Sequence, residues 1–338
     1  MAIGESDSAE LNPWSPGLTL KEVALEEAAY SLGFARARVE RWFPGLSGHW
    51  ISLLQGFDSA IRGVEVSTSL EIPDDLSKRF VFSVDGELAF IGVSDRAARV
   101  LTEGMLPNAN KSSHDVLLEY LARRFVGAMA LTWSGAKENK FAFESEGSLE
   151  HRWLGSVKIS LTVFGAPIVI WIGLSRSIVD KFDGMWRREI GANREDSRDG
   201  ELVVELGYVV FPPTQIGEYL KPGTAIDLEQ SVGDSVIVRS SGEPICEGYL
   251  RTLGDRFAFE CGVAYSPPTR IPDGMTRLGV AIAKVSSSKY LSGELSQVGA
   301  IVETEDRISS DVDLMIDGEK VGRAIVCQLD GRFVVVVQ

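Results

Sequence analysis

Short runs rich in apolar residues, broken by polar turns, dominate the chain from residue 202 onward. Leu202–Phe211, Ala225–Leu228, Ser235–Arg239, Ile245–Leu250 and Arg256–Cys261 read as short strands. A second set follows in Val280–Val285, Ala300–Glu303, Val312–Ile316, Lys320–Val326 and Arg332–Gln338. Ser240-Ser241-Gly242-Glu243, Asp317-Gly318 and Asp330-Gly331 stand between strands. Asp-Gly between apolar runs predicts a hairpin whose two central residues take positive φ. Before residue 187 the spacing is mixed. Leu20–Leu32 has helical periodicity, with Thr19 as its cap and Gly33 after it. Arg62–Leu70 and Arg79–Val84 alternate as strands do. In His114–Leu131, Val116, Leu117, Tyr120, Leu121, Phe125 and Ala128 fall on one helical face behind Ser112 and Ser113 as caps. Leu154–Leu174 reads as two strands around Gly165-Ala166-Pro167.

The two C-terminal sets are copies of one another. Residues 218–259 align with residues 294–335 at a constant offset of 76 and without a gap. Glu218 falls on Glu294, Gly223 on Gly299, Gly242 on Gly318, Glu243 on Glu319, Leu253 on Leu329, Arg256 on Arg332 and Phe257 on Phe333. Apolar character persists at Ile226/Val302, Val232/Ile308, Val236/Val312, Val238/Leu314, Ile245/Val321 and Phe259/Val335. A repeat of this kind sets the architecture before any other feature does. The matched glycines, Gly223, Gly242, Gly299 and Gly318, are expected in turns, where positive φ favours glycine. Val232, Val236, Val238, Phe257, Ile308, Val312, Leu314 and Phe333 are expected at an interface, between the copies or toward a partner.

Size decides what the copies must do. A unit of about 60 residues buries only roughly 60% of its unfolded surface. Val334–Val337 is apolar in both strand registers and demands cover on both faces. The copies must therefore pair with each other or with copies from another chain, since an open edge recruits further strands. All seven tryptophans lie before residue 187, which marks a boundary. The expected class is α+β. An N-terminal α/β domain spans 1–186, a charged linker 187–200, one small β domain 201–265 and a second 275–338, with Ser266–Gly274 joining the last two.

The net charge of −14 is spread over both halves of the chain. That leaves no basic face for a phosphate backbone and sets the chain against an anionic bilayer. Nucleic acid and direct membrane insertion are excluded on this reading. Met1–Asn12 lacks the basic start and apolar run of a secretory signal, and Ile168–Leu174 is too short to span a bilayer, so a cytoplasmic location is expected. Cys246, Cys261 and Cys327 share no ligand spacing and read as buried reduced thiols; His49, His114 and His151 are far apart. No metal and no cofactor are expected.

Leu220-Lys221-Pro222-Gly223-Thr224-Ala225-Ile226-Asp227-Leu228, followed by Val236-Ile237-Val238, Gly242-Glu243-Pro244 and Gly254-Asp255-Arg256-Phe257, resembles the SpoA domain of the FliM/FliN family. The second copy resembles it with more drift, in Val298–Glu303, Val312–Gly318 and Asp330–Val335. The likeness covers residues 201–338. A larger N-terminal domain before two tandem SpoA domains is similar to the SctQ proteins (YscQ, SpaO and HrcQ types) of type III secretion. The resemblance implies a non-enzymatic scaffold of the cytoplasmic ring, or sorting platform, beneath the secretion apparatus. It implies binding to an SctL-like (FliH-like) stator protein and an SctK-like adaptor. It also implies a shorter product from an internal start, for which Met275 is placed, so that the chain pairs with its own C-terminal fragment or as a homo-oligomer. A flagellar switch component of FliM or FliY type is the alternative. The chain has no Gly-Gly pair for the rotor-binding loop of FliM, and Leu11–Leu20 is too rich in proline for its N-terminal helix.

A third function, a degenerate CheC-like phosphatase, rests on one helix. CheC proteins carry Asp/Ser-x-x-x-Glu-x-x-Asn there. Asp115 and Glu119 fit that spacing, but Ala122 stands where the amide belongs, and nothing else orients water. The simpler reading gives Asp115 to the helix start and pairs Glu119 with Arg123 at i,i+4. There is no P-loop and no nucleophile elbow. Glu303, Glu305, Asp306, Asp311 and Asp313 lack calcium-loop spacing and are expected as a solvated loop. Arg256 and Arg332 are expected as a pair at the seam or as exposed guards of an edge strand.

Overall fold

The computed structural model describes residues 11–55, 61–134, 139–144, 152–192, 202–240, 242–264, 271–285 and 297–338. They divide into two compact units, Gly33–Glu189 and a second one joining Met1–Leu32 to Ile190–Gln338. Residues 11–32 thus depart from the domain expected over 1–186. The cause is Trp14, which is buried in the same core as Phe257 and Phe333.

Within Met1–Leu32 lie a two-residue strand, β1 (Asn12–Pro13), and two short helices, α1 (Pro16–Thr19) and α2 (Leu25–Tyr30). The helix expected over Leu20–Leu32 is interrupted. Glu22 bridges to Thr252, with Val23 N–H donating to the Thr252 carbonyl at 2.8 Å, so helix begins only at Leu25. Thr19 does not cap it; its hydroxyl accepts the Trp14 indole N–H at 2.8 Å and donates to the Ser15 carbonyl.

Gly33–Glu189 begins with α3 (Val39–Trp42) and α4 (Leu46–Gln55), then β2 (Arg62–Ser69), β3 (Lys78–Val84) and β4 (Glu87–Val93). Helices α5 (Asp95–Met105) and α6 (Lys111–Thr132) precede β5 (Phe141–Phe143), β6 (Trp153–Val163) and β7 (Ala166–Ser175), and α7 (Arg176–Ala192) ends the unit. Six strands form one sheet in the order β2-β6-β7-β4-β3-β5, antiparallel at every pairing. The unit is therefore α+β, not the α/β domain expected. Tight turns at Asp85-Gly86 (φ 55° and 85°) and Phe164-Gly165 (φ 48° and 75°) reverse the chain between β3 and β4 and between β6 and β7, so those two pairs need no helical crossover. Ile168, Ile170, Ile172 and Leu174 of β7 are all buried, as one face of a strand should be. A Cβ on Gly173 would meet the Phe90 ring at 1.9 Å, so the ring fills the space a side chain there would take.

Helix α6 extends beyond the expected span, and Asn110 caps it in place of Ser112 or Ser113: its side chain accepts the Ser113 N–H at 2.9 Å. Val116 and Tyr120, expected on the buried face, are exposed, while Leu118, Ala122 and Val126 are buried. The linker expected over 187–200 starts as the last turns of α7. There Arg187 pairs with Asp183 at 2.6 Å and Glu189 pairs with Arg41. Residues 193–200 lie outside the described residues.

Ile190–Gln338 contributes β8 (Leu202–Phe211), α8 (Ile216–Tyr219), β9 (Ala225–Ser231), β10 (Val236–Ser240), β11 (Glu243–Leu253) and β12 (Arg256–Ala264). The second copy contributes β13 (Thr276–Val285), β14 (Ile301–Arg307), β15 (Asp311–Ile316), β16 (Glu319–Leu329) and β17 (Arg332–Val337). All ten strands share one sheet in the order β14-β12-β11-β10-β8-β13-β15-β16-β17-β9, with β1 added to β16. The order is palindromic. Replace each strand by its counterpart in the other copy and the list reads the same from the other end. β9 of the first copy lies beside β17 of the second, and β14 of the second lies beside β12 of the first. The segments 201–265 and 275–338 are therefore not two separate domains but halves of one core. The acidic run expected as a loop is largely strand: Glu303, Glu305 and Asp306 belong to β14.

Candidate assembly interface

The exchange of β9 and β14 keeps the repeat offset residue by residue. Ile226 faces Val335, and its counterpart Val302 faces Phe259; Asp227 faces Val334, and Glu303 faces Ala258. Even the irregularities recur. The register of β10 on β11 shifts between Val238 and Arg239, and that of β15 on β16 between Leu314 and Met315. Arg332 pairs with Asp227 at 3.2 Å and Arg256 with Glu303 at 3.8 Å, again equivalent positions. Neither arginine is a seam pair or a bare edge guard. Each ties its own strand to the strand received from the other copy.

Of the residues expected at an interface, Val236, Val238, Phe257, Val312, Leu314 and Phe333 are buried in one cluster drawn from both copies. Val232 and Ile308 are half-buried against it. The cluster occupies the seam between the copies inside the chain, where an outside partner has no access. Gly223, Gly242, Gly299 and Gly318 have φ of 86°, 83°, 75° and 84°. A Cβ on Gly242 would lie 3.6 Å from the backbone nitrogen of Gly318, so the two equivalent turns abut.

Glu205, in the middle of β8, has no part in the sequence reading. Its side chain is buried and receives Arg239 Nε at 3.2 Å and Arg277 Nη2. Arg277 also lies over the Tyr208 ring at 4.2 Å, and Arg239 donates to the Gly242 carbonyl at 2.7 Å. A Cβ on Gly279 would meet Glu205 Oε2 at 2.3 Å, so the carboxylate crosses β13 at a glycine. The counterparts of Glu205 and Arg239 are Ala281 and Met315, so this charged cluster distinguishes one half from the other. Its only sequence signal is a carboxylate inside the apolar run Leu202–Phe211.

Asp115 and Glu119 lie along a groove also lined by Leu76, Lys78, Phe80, Ser112 and Val116. Lys78 Nζ bonds Asp115 at 2.6 Å and holds its carboxyl below the usual carboxylate range. Glu119 accepts Arg123 Nε and Nη2 at 2.9 and 2.7 Å, and Ala122 is buried. Both acids are thus engaged by cations.

Cys246, Cys261 and Cys327 are buried, and burial pushes the Cys327 thiol up from its ordinary value. Among the described residues, no three His, Cys, Asp or Glu side chains group as metal ligands. No described helix is long and apolar enough to cross a membrane. His151 lies outside the described residues.

No family model and no curated protein matches the sequence. Solved structures similar in part include the FliM middle domain from H. pylori, 16% identical, which aligns over 48% of this chain and 99% of that one with a TM-score of 0.32. Thermotoga maritima FliY is 14% identical over 49% of this chain and 98% of that one, TM-score 0.28. A chemotactic CheC-like protein from Shewanella oneidensis MR-1 is 11% identical over 40% of this chain and 98% of that one, TM-score 0.26. Likenesses this distant say nothing of what the chain binds or does.

Proposed function

We propose that this chain is a non-catalytic building block of a cytoplasmic ring, of the SctQ type its repeats resemble. The observation that carries the reading is the reciprocal exchange of β9 and β14. A copy that cannot complete its sheet without a strand from a sibling is made to assemble, within one chain or between chains. In this reading the interlocked module presents its outer surface to an SctL-like stator protein and an SctK-like adaptor. A product starting at Met275 supplies further copies. Asp115 and Glu119 act as surface ion-pair partners, with no hydrolytic role.

Co-purification tests it. The full chain should retain an SctL-like N-terminal segment, and a chain whose residues 201–338 are replaced should not. Retention by Gly33–Glu189 alone would count against the reading. Deletion in the host should abolish secretion and leave swimming intact; the reverse phenotype would transfer the proposal to a flagellar switch.

A further inference from the structure

The segment at the front of the chain fastens both repeat copies at once. Asn12 pairs with Gln328 on β16, and Glu22 bridges to Thr252 on β11. Gln328 and Thr252 are the same repeat position, 76 residues apart. Between these anchors the Trp14 indole is wedged between Phe257 (ring centroids 6.5 Å, stacked) and Phe333 (4.9 Å, edge-on). That pair is also a single repeat position. Further along, Val23 clusters with Leu253, Ala258 and Ile301. The Ser31 hydroxyl accepts the Ile301 N–H at 3.0 Å and donates to its carbonyl at 3.3 Å.

We propose that this slot is an intermolecular docking site, into which residues 11–32 of a second copy of the chain enter in place of the chain's own. Three observations single out that occupant. The slot is demonstrably complementary to this segment, down to the indole between paired phenylalanines. The segment pairs with the sheet only around Asn12–Trp14 and Lys21–Val23, and beyond that it is held by side chains, Trp14, Val23, Ser31 and Leu32 among them, so its departure removes none of the ten strands. It is separated in sequence from the strands it fastens by Gly33–Glu189, which has its own sheet, so both sheets can persist while the segment changes chains. The outer side of the segment carries Leu18 and Leu25, 88% and 73% exposed, apolar surface suited to cover by a neighbouring chain. Reciprocal exchange of the segment closes a two-fold dimer, and one-way donation from chain to chain gives a closed ring or an open filament. The inference goes beyond the secretion reading and does not depend on it.

The test uses the full chain, its Trp14→Ala variant and a fluorescent peptide spanning residues 11–32. The peptide should bind the variant saturably, and bind the wild type, whose slot is filled, about tenfold more weakly or worse. A peptide carrying Trp14→Ala should lose about tenfold or more on the variant. In sedimentation the wild type should rise above one copy with concentration, and the variant should need about tenfold more protein to do so. Should Trp14→Ala not fold, as judged by circular dichroism, Trp14→Phe takes its place. A wild type that stays a single copy throughout overturns the proposal, as does a folded variant that binds the two peptides equally or binds neither.

Discussion

Ile226 sits directly opposite Val335, and both side chains are fully buried. One belongs to the first copy and the other to the second, so the second copy cannot close its core from its own residues. A fragment spanning residues 275–338 should therefore associate, β14 of each molecule taking the place β9 holds here. Sedimentation should give twice the fragment mass, and Val335→Asp should abolish both association and folded structure. A folded monomer at micromolar concentration would contradict the exchange.

Glu205 joins two arginines whose side chains are only 11% and 15% exposed. Glu205→Ala leaves both charges buried without their carboxylate and should cost about 3–5 kcal/mol of stability. Gly279→Ala places a methyl group against the same carboxylate and should cost about 1–3 kcal/mol through displacement. Urea titration of the full chain measures both; a loss under about 0.5 kcal/mol for Glu205→Ala, the usual size of a surface change, would show that the cluster is not structural.

At the Asp317-Gly318 turn both residues have positive φ, 50° and 84°. Gly318→Ala should cost about 1–3 kcal/mol, the strain of a side chain held in the left-handed region. Asp317→Asn should be nearly neutral, because Asn tolerates that region as well as Asp does. Thermal melts distinguish the two; equal losses would remove backbone strain as the cause.

Lys181 Nζ bonds Asp85 at 2.6 Å, Lys140 N–H adds a second bond at 2.7 Å, and the carboxyl is held below its usual range. A carboxyl whose folded pKa is depressed stabilises the fold above its unfolded value of about 3.9. That contribution disappears as pH falls through the folded value. Wild-type stability should thus drop below about pH 4 more steeply than that of Asp85→Asn, which keeps the turn and lacks the titration. Parallel acid-unfolding curves would show that the Lys181 contact adds nothing.

Where alternation and turn residues were local, they were legible. Each of the ten C-terminal strands overlaps a run named from sequence, because Asp-Gly and matched glycines mark the reversals. The offset of 76 also foretold that Phe257 and Phe333, or Arg256 and Arg332, would share a role. It did not show that the role lies across the copies. Glu205 stayed hidden because its partners, Arg239 and Arg277, come from other strands. Leu20–Leu32 misled for a related reason. Its helical spacing was outweighed between Lys21 and Val23 by hydrogen bonds to Thr252, more than two hundred residues away.

What the sequence by itself determined is the repeat, its turns and the need of each small β copy for apolar cover, all consequences of neighbouring residues and unit size. Only the tertiary structure decided how that need is met, through β9 and β14 changing places and Trp14 closing over both halves. The reason is that strand pairing and side-chain packing bring together residues far apart in the chain, and local periodicity carries no record of which distant edge a strand will join.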